Sequence, residues 1–176
     1  MKKIIISLFI FCINFQLIAQ TNIYLKSKTI DYSKEQKLDL SLNNNYCLIV
    51  FDLIPNNQKK QDLELLGIQF LEYLPRNTFL INLPKSFDTN TLNSFGVLRI
   101  INVIPEYKLD PKIQNNKLPS WAFQNNKLSL KIILYKDFDI DKVQENFNVL
   151  GYDFDINDVK NSSFILSIDK DDLIDI

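Results

Sequence analysis

The chain is 176 residues long, 46% hydrophobic and 23% charged, with only 3 glycines and 6 prolines. Such a composition excludes disordered and collagen-like chains and fits one ordinary domain or two small ones. A formal charge of −1 excludes a general attraction to nucleic acid or anionic membranes, and 0 histidines exclude an imidazole base, an imidazole zinc ligand and Ser-His-Asp or Cys-His catalysis.

Met1-Lys2-Lys3 is a basic start, followed by the apolar run Ile4 to Ile13 and a polar exit through Gln16 to Ala19-Gln20. This predicts a cleaved signal peptide over residues 1–20, because Asn14 and Gln16 hold the run short of the roughly 18–20 residues a membrane span needs. Cys12 lies inside the run and not at a lipobox, so lipid anchoring through it is not expected. Export predicts a secreted, periplasmic or cell-surface chain without membrane contact after cleavage. It would carry 18 basic and 21 acidic residues and one cysteine, Cys47. Tyr46 and Leu48-Ile49-Val50 flank that residue and no basic side chain adjoins it, which predicts a buried strand thiol and not a nucleophile. Residues 21–45 form a polar lead-in with one edge strand expected over Ile23 to Ile30.

Tyr46 to Leu53 is a continuous apolar run rich in β-branched and aromatic residues, the pattern of a central strand. A short helix carrying Leu63 and Leu66 follows and ends at Gly67, a residue suited to the left-handed C′ position. Two strands, Ile68 to Tyr73 and Thr78 to Leu83, flank the turn residues Leu74-Pro75-Arg76-Asn77. Asp88 is placed to cap a second helix with Leu92 and Phe95, closing at Gly96, and Val97 to Ile104 reads as a fourth strand ended by Pro105. Residues 46–105 therefore predict a β-α-β-β-α-β unit, the ferredoxin-like pattern: α+β, with an antiparallel sheet covered by helices on one face. Residues 106–127 read as a linker, in which Trp121 and Phe123 either clamp two units together or pack on the nearest helix.

Residues 128–176 begin the same pattern again. An offset of 84 sets Leu48-Ile49-Val50-Phe51 over Ile132-Ile133-Leu134-Tyr135, Leu63 over Phe147 and Gly67 over Gly151; an offset of 85 sets Thr78 to Leu83 over Ser163 to Ile168. Ile140, Val143, Phe147 and Leu150 mark one helix face, with Asp139 as its N-cap. This predicts tandem units, the second lacking its fourth strand and leaving a pairing edge open. Either the chain belongs to a longer reading frame or it completes itself on a partner. A fragment of residues 21–113 is expected to fold alone, and one of residues 128–176 is not.

Chemistry is scarce. Asp153-Phe154-Asp155-Ile156-Asn157 has carboxylates at alternate positions but Asp158 and Phe164 where a calcium loop needs Gly and Glu, and the Asp137-Asp139-Asp141 run fails at Lys142 and Asn148. Both acidic runs are better read as helix caps and a strand edge. Neither a Gly-rich phosphate loop nor a Gly-x-Ser-x-Gly elbow is present. Asn161-Ser162-Ser163 fits a three-residue glycosylation sequon, and no pair of carboxylates stands out for glycoside cleavage. No catalytic residue, cofactor site or metal site is expected on this chain.

The first unit resembles the N-terminal pro-region of bacterial secreted subtilisin-like serine proteases. Leu25-Lys26-Ser27, Leu48 to Phe51, Leu66-Gly67-Ile68, Tyr73-Leu74-Pro75-Arg76-Asn77, Phe79 to Pro84, Gly96-Val97 and Pro105-Glu106-Tyr107-Lys108-Leu109 carry the resemblance. The likeness covers most of residues 23–112 and fades over 128–176. Its motif positions are Gly67, Tyr73, Pro75, Asn77, Gly96, Pro105 and Lys108, with Gly151 repeating Gly67 in the second unit. The resemblance implies a ferredoxin-like folding chaperone and temporary inhibitor, whose partner is a serine endopeptidase domain encoded downstream and absent from this chain. Lys28 departs from an expected glycine, the second unit lacks the Tyr-x-Pro-x-Asn hairpin, and an inhibitory tail would lie beyond Ile176. Two further readings stand beside it: a free-standing secreted inhibitor or binding module, and a structural N-terminal module of another secreted enzyme.

Overall fold

The computed structural model describes residues 21–35, 45–85, 87–158 and 162–169. The expected signal peptide with Cys12, residues 36–44 of the lead-in and Asn161 of the sequon lie outside the described residues. The fold is α+β, with antiparallel sheets. A hairpin of β1 (Asn22–Tyr24) and β2 (Thr29–Asp31) accompanies two four-stranded sheets.

The first sheet holds β3 (Tyr46–Phe51), β4 (Gln69–Leu74), β5 (Thr78–Asn82) and β6 (Val97–Asn102) in the order β4-β5-β3-β6, with every pairing antiparallel. The central position of β3 explains its unbroken apolar sequence. Cys47, Ile49 and Phe51 face an inner core with Leu63 and Leu92, whereas Leu48 and Val50 face an outer core with Ile23 and Ile30. Leu63 comes from helix α1 (Asn57–Leu65), where Asn56 caps the N-terminus by accepting from the Lys59 N–H at 2.9 Å. Leu92 comes from a seven-residue 3-10 helix, Thr89–Phe95, in place of the second α-helix expected there. Its Asp88 cap and left-handed Gly96 end are as read from the sequence.

With α1 and the Thr89–Phe95 segment on one face, the sheet is covered on the other face as well. Its second cover is the lead-in, which forms a hairpin and not a single edge strand: Ile23 pairs with Ile30, and the two are 0% and 1% exposed against the outer core. A strand must place alternate residues on opposite faces, so a polar segment with few apolar points can still close a core when a turn brings those points together.

Residues 106–127 are also structured. Pro105–Lys108 forms α2 and Pro111–Gln114 forms α3; both start on a proline, whose missing N–H costs nothing at that position. Tyr107 of α2 is buried in the outer core, whereas Leu118, Ala122 and Phe123 pack into a third core further on. Trp121 neither clamps the units nor packs on a helix: the one-turn segment Ser120–Ala122 buries Ala122 and leaves Trp121 77% exposed.

The second sheet contains β7 (Phe123–Gln124), β8 (Lys127–Ile133), β9 (Asp153–Asp158) and β10 (Ser163–Asp169) in the order β7-β8-β10-β9. Asn125 and Asn126, both at positive φ, make the two-residue turn between β7 and β8. Helix α4 (Ile140–Val149), capped by Asp139 and followed by left-handed Gly151, sends Val143 and Phe147 to this sheet's core. The two sheets correspond, but with a correction to the register. Phe51 N–H donates to Asn77 O and Leu134 N–H to Ser162 O, at 2.9 and 2.8 Å, so Leu134 and not Tyr135 stands where Phe51 does. The first strand is offset by 83 residues, the helix by 84 and the third strand by 85; buried Thr78 and Ser163 mark the last of these. One residue matters because it exchanges the two faces of a strand.

Candidate functional site

The residues singled out from sequence gather at turns. Gly67 follows α1 at φ +90, and an added Cβ would sit 2.8 Å from Pro84 Cγ. Gly96 and Asn77 meet at Asp52, just past the end of β3: Asp52 N–H donates to Gly96 O at 2.9 Å, and Asn77 Nδ2 donates to Asp52 O at 2.9 Å. Pro75 sits in the exposed β4–β5 turn before Arg76 and Asn77, which both have positive φ. Tyr73 is half exposed, its ring 5.1 Å from that of Phe79. Pro105 opens α2 and Lys108 closes it, exposed. Gly151 stands apart in the second unit, with nothing near its Cβ position. These positions fix turns and ends; they do not converge on a single surface.

Tyr107, which the sequence offered only as part of the stretch Pro105 to Leu109, lies between two of them and has a role that stretch did not reveal. Its carbonyl accepts from Ser27 Oγ at 2.7 Å, Lys28 Nζ lies 4.9 Å from its ring centre, and burial, with Glu35 nearby, pushes its phenol up to about 12. The Pro105–Lys108 turn thus anchors the N-terminal hairpin. Arg99 does the same at the other side, donating from Nε to Tyr32 O at 3.0 Å.

A second convergence joins the two sheets. Asp137, on the loop from β8 to α4, accepts at Oδ2 from Tyr46 Oη at 3.0 Å and from Asn82 Nδ2 at 2.8 Å. The Tyr46 ring lies 4.7 Å from Tyr135 and is stacked on Phe138 at 5.8 Å. Burial and the bond to Asp137 push the Tyr46 phenol up, and burial with Glu72 and Asp137 pushes Tyr135 up. Beside this joint lies a cleft of about 450 Å³ that Gln69, Lys142 and Asn146 also line. The Tyr46 phenol therefore stays protonated well above neutral pH, and Lys142 Nζ lies 3.8 Å from Asp139 at the edge of the cleft. Cys47 is buried and 3.7 Å from Asn102 Oδ1; burial pushes its thiol up to about 12, which makes it a poor nucleophile. Among the described residues no group of three or more Asp, Glu, Cys or His side chains is placed to hold a metal ion, and no helix is long and apolar enough to cross a membrane.

Fold and site together define an α+β protein whose two four-stranded antiparallel sheets meet at a polar-aromatic joint. Residues 24–105 match a family described as a domain of unknown function (DUF8729). That match starts in β1 and ends on Pro105, so it takes in the N-terminal hairpin together with the first sheet. No curated protein and no solved structure matches the chain.

Proposed function

We propose that this chain is the pro-region of an exported subtilisin-like serine endopeptidase, a folding chaperone and temporary inhibitor of a catalytic domain that the chain itself lacks. The observation that carries the reading is the first sheet. Its order β4-β5-β3-β6 is the order in which a ferredoxin-like unit sets its second, third, first and fourth strands, with α1 and the Thr89–Phe95 segment on one face. The turn residues Pro75-Arg76-Asn77 and the Pro105–Lys108 segment, on which the resemblance rests, have defined positions in it. The second sheet repeats the order for three strands, which favours tandem ferredoxin-like units. A pro-region of this kind acts by binding the native enzyme and not its unfolded chain, which stabilises the fold by mass action. The first sheet has both faces buried, so a protease would meet the second sheet, whose outer face carries Ser129, Lys131 and Ile133 in the open.

The test is to read the gene beyond codon 176. This reading expects the frame to continue through a further strand into the Asp, His and Ser blocks of a subtilisin-like domain. A downstream domain without those blocks, or a stop codon after Ile176, overturns it. The short β7, which leaves most of β8 open along one side, favours a second reading in that event: a free-standing secreted binding module.

A further inference from the structure

In the first sheet β3 is paired on both sides, by β5 and by β6. Its counterpart β8 is paired along its whole length by β10, but on the other side β7 reaches only Leu128 and Lys127. Because Leu134 N–H points to Ser162, alternation turns the N–H and C=O groups of Ser129, Lys131 and Ile133 away from β10. They are the equivalents of Tyr46, Leu48 and Val50, whose backbone faces β6 in the first sheet, as the bond from Val103 N–H to Tyr46 O shows. Among the described residues no strand occupies this edge of the second sheet.

We propose that the β8 edge from Ser129 to Ile133 is a strand-addition site for an extended segment of another polypeptide, apolar at alternate positions and acidic between them. The chemistry follows from the β6 template. Opposite Ile49, β6 places Ile100, which enters the inner core; opposite Ile132 an incoming strand likewise needs an apolar side chain to meet Leu130, Ile132 and α4. Opposite Leu48, β6 places Ile101; the second sheet has exposed Lys131 at that position, which calls for a carboxylate. Lys131 also selects against a second copy, since antiparallel pairing centred on the open stretch sets Lys131 against itself. The segment Ser120–Ala122 lies against β8 and leaves Trp121 exposed. This inference rests on the second reading, a binding module, because the protease reading would fill the same edge with a further strand of its own frame.

Trp121 is the only tryptophan and its segment lies against β8, so its emission serves as the probe. The full chain is titrated with the acetylated and amidated peptide Thr-Ile-Glu-Ile-Thr, and separately with the same peptide carrying Lys in place of Glu. The expected result is a saturable blue shift with the acidic peptide, binding about fivefold more weakly with the basic one, and a reversed preference in Lys131→Glu. Lack of a saturable shift, or equal binding of both peptides by both proteins, overturns the proposal. Hydrogen exchange supplies a second arm. Fast exchange of the Lys131 and Ile133 amides in the free chain, slowed by the acidic peptide, supports the site. Slow exchange without peptide shows the edge already covered by the chain's own residues, and a dimer lost in Ile133→Pro shows it covered by a second copy; either overturns the proposal.

Discussion

Asp52 is where three parts of the first unit meet, and it explains why a glycine stands at position 96. The left-handed conformation there, φ +67, is one that only glycine adopts at low cost, and a Cβ would lie 2.5 Å from Asp52 Oδ1. The Asp52 backbone is fixed by the bonds from its N–H to Gly96 O and from Asn77 to its carbonyl, so its carboxylate would have to rotate away and give up the bond it accepts from Leu53 N–H at 2.6 Å. Gly151 shares the positive φ but has open space around it. Gly96→Ala is therefore expected to cost about 2–3 kcal/mol and Gly151→Ala about 1 kcal/mol. Urea unfolding followed by circular dichroism measures both, and equal losses would show that the contact with Asp52 adds nothing.

At the scale of elements, the β1–β2 hairpin depends on charge as well as burial. Asp31 accepts from Thr21 Oγ1 and Ser33 Oγ, each at 2.7 Å, and Lys34 Nζ lies 3.2 Å away. The Ser33 and Thr21 hydroxyls, followed by Lys34, hold its carboxyl well below the ordinary value of 3.8. A depressed carboxyl adds stability that is fully present above its unfolded pKa and lost as pH falls through the folded one. The hairpin amides should accordingly exchange faster as pH is lowered below about 4, after correction for intrinsic rates, and Asp31→Asn should flatten that dependence. The same element shows where sequence legibility ends. Apolar runs such as Tyr46–Phe51 and the capped, glycine-ended helices are written locally, in periodicity and in cap residues, and they could be read directly. The hairpin could not, because only Ile23 and Ile30 are buried to the core and a tertiary surface selects them. The one-residue slip in the β8 register arose similarly: Ile132 and Ile133 are equally apolar, and only the hydrogen bond from Leu134 distinguishes the face turned to α4 from the exposed one. The Asp137 joint was invisible for another reason, since Tyr46 and Asn82 belong to the first sheet and Asp137 to the loop after β8 of the second. Their sequence separations, 91 and 55 residues to Asp137, leave no local trace.

The whole molecule is two unequal bodies sharing that joint. Asp137 is exposed, so its bonds to Tyr46 and Asn82 are expected to be worth only about 1 kcal/mol together, and a Tyr46→Phe and Asp137→Ala double-mutant cycle should return a coupling near half that. A coupling near zero would leave ring stacking as the whole of the joint. The raised phenol of Tyr46 sets the pH sense: the neutral ring is favoured in the folded chain, so its contribution is complete below pH 10 and is lost as pH rises through the folded value. The inequality of the bodies decides which survives alone. The first has a core on each face of its sheet, with Ile23, Ile30, Leu48, Ile49, Leu63 and Ile81 all at 2% exposure or less. The second has one core, a helix with no fully buried residue, and Val149 and Leu150 exposed at 83% and 68%. Residues 21–113 are thus expected to unfold cooperatively by themselves, losing only the Tyr135 cover of the outer core. Residues 128–176 should not, because that cut removes β7 and with it Leu118, Ala122 and Phe123, which pack into its core. Starting the second piece at residue 117 restores all three. A gain of cooperative thermal unfolding by residues 117–176 over 128–176 is the expected outcome. Its absence would show that the second sheet takes its order from the first sheet through Asp137 and the stacked rings, and not from the residues between them.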